Sequence, residues 1–418
     1  MPLIRPEHLV PHQNVNAVSG ATTIDGASST FAIVDGRIAD RNAGHTEVSI
    51  DAAGWMVLSP LADLHAHLDK AYTWSASGSP AGSLEDAVAS WRAFSPSLSY
   101  DDIKTNARRQ LTAAFQSGVT AMRTHVNYHE GDDSLRGIRA VVELRAEFRN
   151  VLDLQVVAMH DHTRSAELIR SAIALGVDLL GAAPHLAPDP QLELERTLRL
   201  AEEANLGVDL HTDENLNPDS LGLLELARLT KTWPKERTRS AGHCVSLAMQ
   251  DPETLALVLK EAATADVSII TNPLTNLYLQ GWQHPVATPR ALPPLAAILA
   301  AGVTLAAGGD NVQDPFNPLG NGDMIDVVAA MVLAGHLSPR AAWDIAAAGR
   351  SLMGLQPATG AVGDAADMIL VRAASVAEAV AERAPDRVVI RAGRVISVQS
   401  RSSRAVTVTP LAQPENSV

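Results

Sequence analysis

Eight short apolar runs, separated by longer amphipathic segments, are the feature that most constrains how this chain can fold. Each run has the length and composition of a buried strand, and the segments between them carry apolar residues at helical spacing. A strand followed by a helix, repeated eight times, predicts a closed (β/α)8 TIM barrel. The predicted strands are Trp55–Leu58, Val119–Val126, Leu152–Met159, Val177–Ala182, Gly207–His211, Ser240–His243, Val267–Thr271 and Val303–Ala307.

The amphipathic segments between the runs predict the helices of the barrel. Several of them end just before a glycine that precedes the next strand, as at Gly118, Gly176 and Gly302, and glycine is the usual residue for ending a helix. The predicted helices cover residues 101–116, 134–148, 190–204, 220–230, 252–263 and 289–300.

Both ends of the chain look β-rich. Asp35-Gly36, between two apolar runs, is a strong hairpin signal, and a similar turn lies near residue 392. We therefore expect the two ends to form one small β-sandwich domain, from residues 1–57 together with 358–400. The barrel would then occupy residues 58–357, and a polar tail, 401–418, would be frayed.

Composition bounds the partners of the chain. Its 418 residues carry a net charge of −14, which argues against a nucleic-acid partner. Proline and glycine interrupt the longest apolar run, residues 292–307, so no membrane span is predicted. The single cysteine and an N-terminus without a signal-peptide pattern favour a cytoplasmic protein. The partner expected is a small-molecule substrate; a homo-oligomer stays open.

Polar residues follow the predicted strands at the end where barrel active sites lie. His65 and His67 follow the first run, and residues two apart on a strand point to the same face. His211 ends the fifth strand, His243 ends the sixth and Asp310 follows the eighth. A structural histidine is the default interpretation of any one of them, but packing alone hardly explains the whole set.

Three imidazoles, of His65, His67 and His211, with the carboxylate of Asp310 make a ligand set suited to one divalent ion, Zn²⁺ or Fe²⁺. Such an ion lowers the pKa of bound water to about 7 and so supplies hydroxide at neutral pH. Glu214, three residues after His211, is the natural proton shuttle. His243 on the neighbouring strand can polarise or protonate the group under attack.

These motifs resemble the amidohydrolase superfamily, and its cytosine deaminase branch in particular. The resemblance spans the barrel and implies that Glu214 moves protons, while His243 and Asp310 activate or orient the water. Other members of the superfamily bridge two metals with a modified lysine at the end of strand 4; this chain has no lysine there, which implies a mononuclear site. The matching stretches are 63–73, 181–185, 209–214, 242–248, 272–281 (NPLTNLYLQG) and 308–320 (GGDNVQDPFNPLG).

The chain departs from cytosine deaminases at the positions that contact substrate. Asp161 stands where that branch has a glutamine, Asn311 replaces a second aspartate, and Phe316 replaces a tryptophan. Metal chemistry is thus kept while substrate recognition is altered. An ionised aspartate accepts hydrogen bonds only, so Asp161 suits a substrate with N–H groups, unless it points away and pairs with Arg164. His185, either a substrate group or a structural histidine, and Gln280 complete the predicted substrate-binding residues.

The leading hypothesis is a metal-dependent aminohydrolase that deaminates a small nitrogen heterocycle, such as an amino-pyrimidine or triazine. Hydrolysis of a cyclic amide or of an N-alkylamino-triazine is the alternative enzyme activity. A catalytically silent ligand-binding relative ranks low, because it would lack Glu214, His243 or a ligand, and all of them are present.

Overall fold

Two sheets organise residues 3–40 and 48–400, which this computed structural model describes. One sheet has eight parallel strands in chain order, and the other is a mixed sheet of nine strands. In chain order the strands are β1 (Leu3–Ile4), β2 (Ala17–Thr22), β3 (Ser28–Val34), β4 (Arg37–Ala39), β5 (Ser49–Asp51), β6 (Met56–Leu58), β7 (Leu61–Ala66), β8 (Val119–Asn127), β9 (Asp153–His160), β10 (Leu179–Ala182), β11 (Gly207–Thr212), β12 (Arg239–His243), β13 (Ser268–Thr271), β14 (Leu305–Ala307), β15 (Met368–Val371), β16 (Arg387–Arg391) and β17 (Arg394–Gln399).

The parallel sheet, β7 to β14, is the predicted barrel. Each strand pairs with its neighbours in the chain, and a parallel bridge between Ala66 and Asp310 joins the last strand to the first. None of the helices in the described part is long and apolar enough to cross a membrane. The helices are α1 (Trp74–Ser77), α2 (Leu84–Phe94), α3 (Tyr100–Ser117), α4 (Arg136–Phe148), α5 (Ala166–Ala174), α6 (Pro190–Glu203), α7 (Gly222–Thr230), α8 (Pro252–Thr264), α9 (Pro273–Leu279), α10 (Leu295–Ala300), α11 (Met324–Leu333), α12 (Pro339–Leu352) and α13 (Val376–Ala381).

The prediction that Trp55–Leu58 forms the first barrel strand is wrong. Residues Met56–Leu58 form β6, which pairs antiparallel with β15 in the mixed sheet. The first barrel strand is β7, whose side chains alternate, so that Ala62 and Leu64 face Gly349 of α12. Asp63 and His65 take the opposite face. Polar residues on that face hid the strand from a search for apolar runs.

The predicted helix over 289–300 is also wrong in extent. Only Leu295–Ala300 is helical, with Pro294 at its N-cap. Pro293 precedes Pro294, and a residue that precedes proline is held out of the helical region, so the helix cannot begin earlier. Several helices lie outside the six predicted segments, among them α2, which begins with a capping box of Ser83 and Asp86.

The mixed sheet unites the two ends of the chain, as the sequence predicts. Its strand order is β1-β5-β2-β6-β15-β16-β17, with β3 and β4 extending from β2. Both predicted turns are present, since Asp35-Gly36 and Ala392-Gly393 have the positive φ angles of tight hairpins. The domain boundaries at residues 57 and 358 stay a prediction, and the tail 401–418 lies outside the described residues.

The two sheets meet at the end of the barrel where its strands begin, opposite the end that carries His211. Arg350 of α12 donates to Thr120 of β8 at 2.6 Å and to Asp367 at 2.9 Å. Beside them, Gly118 ends α3 with a φ of +112°, and a Cβ added there would lie 2.4 Å from Cδ1 of Ile369 in β15. Glycine is therefore required at this position for two reasons: the positive φ angle and the close approach of the second sheet.

We expect Gly118→Ala to lower the free energy of unfolding by roughly 1–3 kcal/mol, because it adds a clash to an unfavourable backbone angle. Gly54→Ala is the matched control, since Gly54 also has a positive φ (+82°) but its added Cβ would meet no atom within 4 Å. Chemical unfolding of both variants measures the difference. Equal losses of stability in the two variants would show that the contact with Ile369 contributes nothing.

Candidate active site

Three imidazoles and one carboxylate converge at the C-terminal end of the barrel. Nε2 of His211 lies 3.1 Å from Nε2 of His65 and 3.1 Å from Nε2 of His67. Oδ1 of Asp310 is 3.4 Å from Nε2 of His67 and 3.9 Å from Nε2 of His65. The structure thus brings together the four side chains that the sequence predicts as ligands, although they come from β7 and the residue just after it, from β11 and from the loop after β14.

The state of these four residues fits a bound cation. All are buried, and neither carboxylate oxygen of Asp310 has a hydrogen-bond partner among the described residues. Burial and neighbouring positive groups lower the pKa of the three histidines well below the usual value, so the rings are neutral and keep a free lone pair. Three neutral imidazoles facing an unpartnered carboxylate form a donor set typical of zinc or iron sites.

The chain makes room for this cluster by a close approach of its backbone. A Cβ on Gly308, which follows β14, would lie 2.4 Å from Cβ of His65, so only glycine fits there. The buried carboxylate of Asp63 accepts hydrogen bonds from the backbone N–H groups of His65 and Gly309, at 3.2 and 2.9 Å. These bonds fix the loop after β14 against β7 and so hold Asp310 beside the histidines.

Glu214 follows β11, two residues after its end, and His243 ends the neighbouring strand β12, as predicted. Nδ1 of His243 is 3.4 Å from Oε1 of Glu214 and 4.0 Å from Oδ2 of Asp310. The amide of Asn276 lies 3.0 Å from Nδ1 of His243 and 3.4 Å from Glu214, and so bridges the two. Burial raises the pKa of Glu214 to about 8. A carboxyl group with a pKa in this range can both take up and release a proton near neutrality.

A second layer of buried polar residues supports the cluster, and the sequence analysis missed it. The ring of His125 stacks on that of His65 with centroids 4.0 Å apart. Asp209 lies 3.3 Å from Nε2 of His125 and accepts a 2.6 Å hydrogen bond from Arg123. Although burial alone would raise it, these two partners hold the pKa of Asp209 below its usual value. Their position late in a predicted strand was the available signal for His125 and Arg123.

The predicted substrate-binding residues fall into two groups. Asp161, Asn311 and Phe316 line a cleft of about 1010 Å³, open solvent at its mouth included, which reaches the cluster. His185 and Gln280 do not line this cleft, because His185 lies against the carbonyl of His211 and Gln280 donates to the carbonyl of Glu214. The sequence does not show which residues line the cleft and which lie behind its wall.

Asp161 is held by its own loop. Its Oδ1 accepts hydrogen bonds from the backbone N–H and the hydroxyl of Thr163, and Nε of Arg164 is 3.7 Å from Oδ2. The side chain is 40% exposed. This is the arrangement expected if Asp161 pairs with Arg164, although the residue still borders the outer part of the cleft.

The fold agrees with comparisons to known proteins. Residues 75–397 match the family described as "Amidohydrolase family", and the chain belongs to that family. A pterin deaminase from Rhizobium rhizogenes is 32% identical over 407 residues, which cover 93% of this chain and 92% of that protein. The family membership and this relative bear out the predicted resemblance to amidohydrolases of the deaminase type.

Solved structures extend the comparison over the whole fold. The 5-methylcytosine deaminase from Klebsiella pneumoniae, liganded with 5-fluorocytosine, is 25% identical with a TM-score of 0.83, covering 94% of this chain and 99% of that one. An N-isopropylammelide isopropylaminohydrolase from Burkholderia multivorans is 26% identical with a TM-score of 0.75, covering 92% and 99%. Metal-dependent hydrolysis of C–N bonds in nitrogen heterocycles therefore fits this chain.

We expect purified protein to hold about one divalent ion per chain, because the site offers a single set of four donors. His65→Ala and Asp310→Ala should each lose metal and activity together, as measured by elemental analysis and by turnover. His8→Ala, at an exposed histidine in the mixed-sheet region, is the control. Two tightly bound ions per chain, or an unchanged metal content in both variants, would contradict this ligand set.

Proposed function

We propose that this chain catalyses the hydrolytic deamination of an amino-substituted nitrogen heterocycle, with a pterin as the leading substrate, and uses one Zn²⁺ or Fe²⁺ ion held by His65, His67, His211 and Asp310. The observation that carries the proposal is the buried cluster of neutral imidazoles and unpartnered carboxylate beside Glu214 and His243. The pterin follows from the pterin deaminase that matches 93% of the chain. The ion, when bound, would supply an activated water for addition to the ring carbon that carries the amine.

The residues beside the cluster divide the proton transfers. Glu214 takes a proton from the attacking water and delivers it to a ring nitrogen. It then takes the proton of the hydroxyl group added to the ring carbon and delivers it to the departing amine, so that the carbonyl forms as ammonia leaves. Its raised pKa suits both transfers. His243 faces Glu214 and Asp310 and donates to, or polarises, the group under attack. Asp310 orients the water as well as holding the ion.

One ion suffices for this arrangement. The superfamily members that bridge two metals use a modified lysine at the end of the fourth barrel strand, and β10 here reads Leu-Leu-Gly-Ala. Among the described residues, two other buried groups of possible ligands include His65. The group with His243 and Asp310 shares Asp310 with the proposed site, and in the group with His125 and Asp209 the carboxylate of Asp209 is already paired with Arg123. We therefore propose a mononuclear centre.

The wall of the cleft would determine which ring is accepted. The amide nitrogen of Asn311 donates to Asp314 at 2.8 Å, so its carbonyl oxygen is left to accept from a ring N–H. Phe316 supplies a flat apolar surface, and Asp161 contacts the outer edge of the substrate. His185 and Gln280 act from behind by holding the backbone at His211 and Glu214.

A second candidate activity is removal of an alkylamine from an N-alkylamino-triazine. It is favoured by the 24% identity, over 84% of this chain, to an N-isopropylammelide isopropyl amidohydrolase from a Pseudomonas species. Hydrolysis of a cyclic amide would use the same donors but open the ring. We also propose a cytoplasmic location, in keeping with the single buried cysteine, Cys244.

We expect metal-loaded protein to release ammonia from a pterin, and Glu214→Gln to lower that rate about 10²–10⁴-fold while keeping the metal, because it removes the proton carrier and no ligand. The panel should also include amino-pyrimidines, purines and triazines, with ammonia, alkylamine and ring-opened acid measured separately. Glu203→Gln, on the outside of α6, controls for the substitution itself. A near-normal rate for Glu214→Gln would remove this residue from the reaction, and release of alkylamine alone would favour the second candidate.

A further inference from the structure

Lys70 places a positive charge deep in the cleft, and it belongs neither to the proposed ligands nor to the proposed proton carriers. Its side chain is buried, with 3% of its surface exposed, and it lines the cleft beside His67. Of the lysines and arginines that line the cleft, Lys70 alone is buried, whereas Arg92 lies exposed at the mouth. Burying a charged group is costly unless other groups satisfy it.

The ammonium group is only partly satisfied by the protein. It donates to Oδ1 of Asn127, at the end of β8, at 2.5 Å and faces Nδ1 of His67 at 3.2 Å. No carboxylate of the described residues makes an ion pair with it within 4.0 Å. An ammonium has three N–H donors, and Asn127 accepts one of them. In the proposed site His67 binds the ion through Nε2, so its Nδ1 carries the ring proton and cannot accept, and Lys70 keeps N–H donors without a protein acceptor beside the cleft.

Two aromatic rings fix the direction of this group. Nζ of Lys70 lies 5.2 Å from the ring centroid of Trp91 and 5.2 Å from that of Phe316. Contacts with ring faces at this distance attract a cation and restrict its movement. The ammonium is thus held in place before any substrate arrives, which reduces the entropic cost of a hydrogen bond to a ligand.

The neighbouring wall supplies the complementary group. The amide nitrogen of Asn311 donates one hydrogen bond to Asp314, and its carbonyl oxygen is free to accept. One fixed donor and one fixed acceptor on the same cleft match a ring edge in which a carbonyl oxygen adjoins an N–H. Asp161, by contrast, is engaged by Thr163 at the outer part of the cleft.

We propose that Lys70 is a specificity-determining residue whose ammonium donates a hydrogen bond to a carbonyl oxygen on the substrate ring. The enzyme would then select amino-oxo heterocycles over analogues that carry the amine but lack the carbonyl. This assignment rests on the proposed function, and it gives the cleft the donor that Asp161 cannot offer.

The alternative is that Lys70 only balances charge. Burial raises the pKa of Glu214, Asp310 and Asp314, and the positive charge of Lys70 acts in the opposite direction on all three. A residue with that role alone would affect metal content and all substrates equally. Substitution of a residue that hydrogen-bonds to the substrate ring would weaken the binding only of ligands that carry the carbonyl oxygen.

The test compares two pairs of ligands, pterin with 2-aminopteridine and isocytosine with 2-aminopyrimidine. Metal-loaded wild type, Lys70→Met and the mouth control Arg92→Met are assayed for kcat and KM, for dissociation constants by fluorescence or calorimetric titration, and for metal content. We expect Lys70→Met to weaken binding and raise KM for the oxo member of each pair by about 10- to 100-fold, since it loses a charged hydrogen bond, with the analogues and the metal content unchanged. Arg92→Met should leave the discrimination intact.

The outcomes separate this inference from the proposed function. Binding that depends on Lys70 without release of ammonia would contradict the proposed function and support the inference. Equal losses on both members of a pair, or loss of metal in Lys70→Met, would overturn the inference while deamination by the wild type stands. Binding data for the wild type alone can also overturn the inference. If the wild type binds 2-aminopteridine as tightly as pterin, or binds no oxo ligand, Lys70 does not recognise the carbonyl oxygen of the substrate.

Discussion

The structure depends on burying three neutral imidazoles and an unpaired carboxylate at one end of a closed barrel. Burying such groups without hydrogen-bond partners is unfavourable. A bound cation would offset this cost, because it can interact with all four groups together. The same burial keeps the histidines neutral and so available as ligands. The low exposure of the site is therefore part of its chemistry and not only a result of packing.

The contacts that close the barrel also assemble the site. The bridge between Ala66 and Asp310 joins the first and last strands, and the backbone N–H of Asp310 donates to the carbonyl of His65 at 2.6 Å. Ligands far apart in the sequence can meet only when this seam forms. Gly308 and Asp63 lie on the seam as well, so a change that disturbs strand pairing there would also disturb the donor set.

The sequence predicted that the four proposed ligands lie together because each one is at or near the end of a strand, and the ends of parallel strands meet at one edge. It misplaced the first barrel strand, since an apolar run such as Trp55–Leu58 does not reveal which sheet it joins, while β7 carries polar residues on its inner face. It missed Lys70 and His125 because facing the barrel interior is a property of strand register and loop geometry. The direction of the Asp161 carboxylate could not be predicted from the sequence either, since it is set by the local hydrogen bond from Thr163.

In the proposed reaction, activated water replaces the amine on an intact ring. The most direct measurement is turnover of a pterin by metal-loaded protein in ¹⁸O-labelled water, with mass spectrometry of the product and quantification of ammonia. We expect one solvent oxygen in the ring product for each ammonia released. A ring-opened product, or a deaminated product without solvent oxygen, would contradict it.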